Sequence, residues 1–311
     1  MGHLIASGLP ARDPRFRLAA RCSGSDGQRS TTDRPMVDHG GGIQAVTQKD
    51  RELRRSTFDE AAELYDRARP GYPAALFEDL AELTSIGPES RVLEIGPGTG
   101  QATLPLAERG YRVVAVELGA DLAAVARRKL AGFANVEVVT AAFEDWPLPA
   151  EAFDLVLAAT AFHWIDPAVR IDKVADALRP GGSLATITTH HVAGGDESFF
   201  ADAQSCYVRW DPDTPTALTL KSATDIPSSH YLLDRTDRFG PPVLRRYEWD
   251  RSYTTVSYLE LLLTYSGHRA LEPKAQSSLL GCIAHLIDTG YGGQITKRYL
   301  TELRVAPTIG Q

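Results

Sequence analysis

Short apolar runs alternate with amphipathic stretches from about residue 91 to residue 190. Residues 91–95, 111–116, 136–139, 153–158 and 183–189 are rich in Val, Leu, Ile and Ala and read as buried strands. Between them, helical spacing predicts a helix from Gln101 that stops at Gly110, a second capped by Asp121, and a third over 167–178. Pro180-Gly181-Gly182 predicts a tight turn feeding the last of these strands. Strands and helices in alternation predict an α/β fold, a doubly wound and mostly parallel sheet covered on both faces.

The flanking segments follow other patterns. Helical spacing over 58–67 runs through Ala61, Ala62 and Tyr65, and Pro70-Gly71-Tyr72-Pro73 separates it from a second helix over 74–83. Residues 192–239 are rich in Asp, Ser and Pro, with an aromatic cluster at Phe199, Phe200, Tyr207 and Trp210. They read as an insertion of short helices over the sheet, the aromatics either meeting an apolar or planar substrate or forming the core that holds the insertion down. Residues 243–249 and 298–305 read as strands, an antiparallel C-terminal pair extending the sheet, with helices over 258–265 and 276–287 between them. Tyr265-Ser266-Gly267-His268 either lines a pocket or marks a helix end at Gly267.

Residues 1–50 show no periodic apolar face and read as a disordered tail. The expected organisation is that tail, a helical lid over 51–88, and a main domain over 89–311 carrying a substrate cap at about 192–239. A net charge of −7 argues against a sequence-independent grip on nucleic acid. No apolar run approaches the ~20 residues of a membrane helix, and the expected location is cytoplasmic. Cys22, Cys206 and Cys282 are too few and too scattered for a disulfide framework or a metal site, and read as reduced thiols.

The chemistry concentrates in Leu93-Glu94-Ile95-Gly96-Pro97-Gly98-Thr99-Gly100. A buried strand ends beside an acid, and three glycines at alternate positions open a helix, so that a ligand can approach main-chain N–H groups. The next strand ends in Glu117, where a carboxylate suits the two hydroxyls of a ribose.

These residues resemble class I S-adenosylmethionine-dependent methyltransferases, within them the small-molecule enzymes of the ubiquinone/menaquinone-biosynthesis and trans-aconitate methyltransferase type. The likeness runs from about Phe58 to Thr189 and implies the Rossmann-like methyltransferase fold. It implies that Gly96, Pro97, Gly98 and Gly100 wrap the methionine part of the cofactor and that Glu117 and Leu118 meet its ribose end. Glu94 either orders water around the cofactor ammonium or caps the turn. Ala142 and Phe143 stand in the adenine loop; many members carry Asp where this chain has Ala142, which leaves main-chain groups and the Phe143 ring, with Glu144 as a substitute acceptor or a solvated charge.

Tyr65, Arg69 and Tyr72 precede the first motif, where related enzymes fold a helix over the cofactor. Either Arg69 pairs with its carboxylate and Tyr65 faces its sulfonium, or the segment is a solvated helix end with Pro70 and Pro73 shaping a loop. Thr160 and His163 follow the fourth strand. His163 is either a general base or a residue packing the next helix, with His190 and His191 as second choices. The segment lacks the Asn/Asp-Pro-Pro-aromatic motif of enzymes that methylate nucleobase amines.

The resemblance implies methyl transfer to a small-molecule acceptor, O-methylation being one option, with no metal. Two alternatives stand: an S-adenosylmethionine-binding protein without catalysis, and an NAD-dependent oxidoreductase, which the glycine spacing disfavours.

Overall fold

Arg91–Ile95 (β1) is buried on both faces, as an unbroken apolar run requires. Val92 packs with Leu76, Phe77 and Leu80 on one side, and Leu93 with Val156, Phe162 and Val174 on the other. The computed structural model describes residues 61–211, 219–227 and 236–309, all within the unit Met36–Gln311. The expected tail at 1–50, the first part of the lid and portions of the insertion lie outside the described residues.

Arg112–Glu117 (β2), Val136–Thr140 (β3), Phe153–Ala159 (β4) and Leu178–Gly195 (β5) run parallel to β1. Helices Ala62–Ala68 (α1) and Ala74–Thr84 (α2) precede β1, and Thr103–Glu108 (α3), Ala120–Lys129 (α4) and Arg170–Ala177 (α5) connect the strands. Gly119, not Asp121, is the N-cap of α4; Asp121 lies in its first turn, where its charge favours the helix dipole.

Pro180-Gly181-Gly182 does not make a free turn. β5 begins earlier, at Leu178 opposite Phe153, and the segment bulges before Ser183 meets Leu155. A side chain at Gly182 would lie 3.0 Å from the Arg179 carbonyl and 3.1 Å from that of Asp154.

Val243–Thr254 (β6) and Gln294–Pro307 (β7) complete a seven-stranded sheet of order β3-β2-β1-β4-β5-β7-β6. The antiparallel pair is present as expected, with β7 inserted between β5 and β6 and reversed against both. These three strands are long, and their outer ends carry a helical cap. Glu197–Trp210 (α6), Thr255–Leu262 (α7), Ser266–Arg269 (α8) and Pro273–Gly290 (α9) build it.

Its core gathers Phe199, Tyr207, Tyr253, Tyr258, Leu279 and Ile283, so the aromatic cluster of the insertion is indeed core. The described part of the insertion contributes one long helix and a short turn at Ala223–Asp225; the C-terminal helices supply the rest. Gly267 lies inside α8 and ends no helix of its own.

The reduced-thiol expectation is corrected here. Cys206 of α6 and Cys282 of α9 are joined by a disulfide, their Cα atoms 5.8 Å apart despite a separation of 76 residues. The two helices pack side by side, a proximity that chain spacing hides, and such bonds persist in oxidising surroundings.

Candidate active site

The strand order reverses between β1 and β4, and ligands of doubly wound sheets bind at the carboxyl ends of strands beside such a switch. After β1 the backbone turns through Gly96, Gly98 and Gly100 with φ of 66°, 60° and 88°. L-residues seldom adopt these angles, and a Cβ at Gly96 would come within 2.7 Å of the Ala161 Cβ. Pro97 is buried between them, and its carbonyl accepts from the Gly100 N–H at 2.9 Å.

Glu117, at the end of β2, is 7% exposed. Its Oε2 accepts from the Gly98 N–H at 2.9 Å and its Oε1 from the Gly119 N–H at 2.8 Å. One carboxylate thus fixes the turns after two neighbouring strands. Leu118, the next residue, is exposed.

Glu94 is fully buried, and neither carboxylate oxygen has a hydrogen-bonding partner among the described residues. Burial raises its pKa to about 7, the Glu117 charge adding to the shift. Thr103 lies near enough to oppose the shift, yet its Oγ1 stays outside hydrogen-bonding geometry.

Thr160, just past β4, is a non-glycine residue at φ 53°. Its N–H donates to the Ile187 carbonyl and its hydroxyl to the Ala159 carbonyl, at 2.8 and 2.7 Å. The Tyr72 hydroxyl shares a further 3.2 Å hydrogen bond with it. Tyr72 is half-buried along its length with its oxygen well inside, and burial pushes the phenol pKa up, with Tyr65 and Glu94 adding. The motif assigns Tyr72 no role of its own, yet its hydroxyl reaches the end of β4 directly.

The Tyr65 ring lies 3.5 Å from where a Gly98 Cβ would stand. The Arg69 guanidinium sits 5.1 Å from the Tyr65 ring centre and 4.5 Å from that of Tyr265. Its Nη2 donates to the Thr264 carbonyl at 3.0 Å, while its buried Nε has no partner. Lys297 of β7 donates from Nζ to the Tyr265 hydroxyl at 3.3 Å. Sequence reasoning overlooked Lys297; the signal was its place among Ile295, Tyr299, Thr301 and Leu303, alternate residues of β7 that are all buried.

Other candidates sit less centrally. The Phe143 ring is buried in the core with the Lys173 ammonium 5.4 Å from its centre, and the Ala142 carbonyl accepts from the N–H groups of Asp145 and Trp146. Glu144 Oε1 accepts from the Asp166 N–H at 3.1 Å and so ties two loops together. His163 is exposed, in a short turn of helix, its ring 4.7 Å from that of Trp164. His190 contacts the buried Glu302 at 3.1 Å, and the His191 ring packs edge-on against Phe200. A hollow of about 500 Å³ between α1 and α4 includes none of the glycine-run residues and is not this crevice.

Comparison with known proteins places a methyltransferase domain at residues 93–186. A methyltransferase of Mycobacterium tuberculosis with no assigned substrate is 38% identical over 131 residues, covering 42% of this chain and 51% of the relative. Demethylmenaquinone methyltransferase of Clavibacter sepedonicus is 30% identical over 132 residues, covering 41% and 54%. The chain spans about half the length of the relatives it matches. Among solved structures, a candidate type II methyltransferase of Anaeromyxobacter dehalogenans superposes with a TM-score of 0.53 at 25% identity, covering 76% of this chain and 97% of the other.

Proposed function

The chain carries a class I S-adenosylmethionine-dependent methyltransferase domain, and from that premise we propose that it methylates a small molecule held between the strand-end crevice and the helical cap. The observation that carries this reading is Glu94, a fully buried carboxylate without a partner among the described residues, beside a glycine turn of positive φ. An orphaned buried anion fits an ammonium group such as the cofactor's.

When bound, the cofactor supplies a methyl group on a sulfonium, already a good leaving group. Gly96, Pro97, Gly98 and Gly100 shape the backbone around its methionine part, and Glu94 faces its ammonium. Glu117, held in place by the Gly98 and Gly119 N–H groups, accepts from the ribose hydroxyls. Leu118, Ala142 and Phe143 border the adenine. Tyr65 and Arg69, on the lid formed by α1 and α2, close the opposite side, and Tyr72 pins that lid to Thr160.

The residues' main task is then to position the acceptor and exclude water from it. We place oxygen first among acceptor atoms. A carboxylate acceptor needs no base; a phenol or alcohol would call on His163, whose ring is exposed. Demethylmenaquinone, named for one relative, is a small molecule, which supports an acceptor of that size class.

Calorimetric titration with S-adenosylmethionine and its demethylated product tests the site. Glu117→Ala is expected to weaken binding by roughly 1.5–3 kcal/mol, the loss of charge-assisted hydrogen bonds. Unchanged affinity would remove Glu117 from the ribose.

A further inference from the structure

Lys297 is 5% exposed, and no carboxylate among the described residues pairs with it. Its ammonium lies 5.5 Å from the Tyr265 ring centre and 5.1 Å from that of Tyr299, with the Tyr265 hydroxyl as its hydrogen-bonding partner. Arg69 packs on the same Tyr265 ring, again without a carboxylate, and its buried Nε is unpartnered. Two cations therefore share one aromatic side chain, and no counter-charge pairs with either among the described residues.

The magnitudes do not favour a purely structural role. Burying an ammonium is costly even after the protein relaxes, and ring faces attract a cation far more weakly than an opposite charge does. A hydrogen bond to a neutral phenol supplies no counter-charge either. The deficit disappears if an anion completes the cluster.

Position says which anion. Lys297 stands opposite Gly195 of β5 and Arg251 of β6, on the stretch of β5 and β7 that runs on past the end of β4, whose pairing with β5 stops at Ile187. A continuous line of side chains joins it to the glycine turn: Gly98 against Tyr65, Tyr65 against Arg69, Arg69 against Tyr265, Tyr265 against Lys297. Arg69 is the cation nearer the turn, and Lys297 lies farther out, under the cap.

We propose that Lys297, backed by Tyr265 and Tyr299, is the anion subsite for the methyl acceptor, which therefore carries a carboxylate or phosphate group. The proposal rests on the methyltransferase reading of the crevice. Arg69 adds charge from the cofactor side, and the two tyrosine rings give the ligand apolar walls next to its charged end.

Calorimetry at saturating S-adenosylhomocysteine tests it with succinate and benzoate as carboxylates, phenyl phosphate and inorganic phosphate as phosphates, and benzamide as the neutral match. At least one anion class is expected to bind the wild type while benzamide does not, and the class that binds identifies the charged group. Lys297→Met should lose about tenfold or more of that affinity and Lys297→Arg should keep most of it, all three proteins binding S-adenosylhomocysteine alike. Lys297→Gln replaces the methionine variant if that one does not fold.

Absence of anion binding, equal binding by wild type and Lys297→Met, or equal binding of benzamide and benzoate each overturns the subsite. Failure of the wild type to bind S-adenosylhomocysteine overturns the methyltransferase reading instead. The same anion titrations without it then decide the subsite by the same comparison.

Discussion

Burial leaves Glu94 with a charge that water cannot stabilise, and its pKa rises from 4.5 to about 7. Between those two values the folded chain keeps a proton that the unfolded chain has lost. Stability therefore falls as pH rises through that window and levels off above it. Glu94→Gln is expected to stabilise the ligand-free protein at pH 8 by up to about 3 kcal/mol, with little gain at pH 5, and to weaken cofactor binding. Urea unfolding at the two pH values checks it; an equal gain at both would show that the effect is not ionisation. Glu94 and Glu117 were legible from sequence because each sits at the end of an apolar run. Tyr72 was not, since its partner Thr160 is 88 residues away and a Pro-Gly-Tyr-Pro segment looks like a loop.

At the scale of elements, local patterns marked nearly every strand of the parallel sheet to within a residue or two. Failures came where partners distant in sequence decide the outcome. β5 runs on to Gly195 because β7 pairs with it, which no run of residues after Thr189 announces. The disulfide belongs to the same class, as it depends on α6 and α9 lying together. A cross-link closing so long a loop contributes about 2–4 kcal/mol. Cys282→Ser should therefore speed hydrogen exchange at Leu279, Ile283 and Ile287 of α9 while Val92 and Leu93 of β1 stay protected. Unchanged exchange in α9 would mean the bond adds nothing to the cap.

For the molecule as a whole, Glu302 of β7 is 1% exposed and ties three strands together. His190 of β5, Arg246 of β6 and Arg304 all reach its carboxylate. Burial alone would raise its pKa; these partners outweigh it and hold the group at about 2. The stability they supply is present above pH 4.5 and lost as pH falls toward 2. Glu302→Gln should destabilise the protein at pH 7 by on the order of 3 kcal/mol and flatten the acid limb of its stability curve. A limb as steep as in the wild type would assign acid sensitivity to other carboxylates. The charged residues of β6 and β7 gave no hint of this network in sequence, where alternate charges on an outer strand look like a solvated face.

The reversal of β7 also bears on how the protein might be re-engineered. A strand running with the others would bring its last residues to the ligand end; β7 brings its first, 295–299. The glycine turn and Glu117 are grouped within residues 91–119, whereas Lys297 arrives almost two hundred residues later and rests on a different core. On the proposed reading, donor and acceptor are met by separate stretches of chain. A designer could exchange residues 294–299 between relatives to alter what is modified, and leave Thr264 and Tyr265, which hold Arg69, in place.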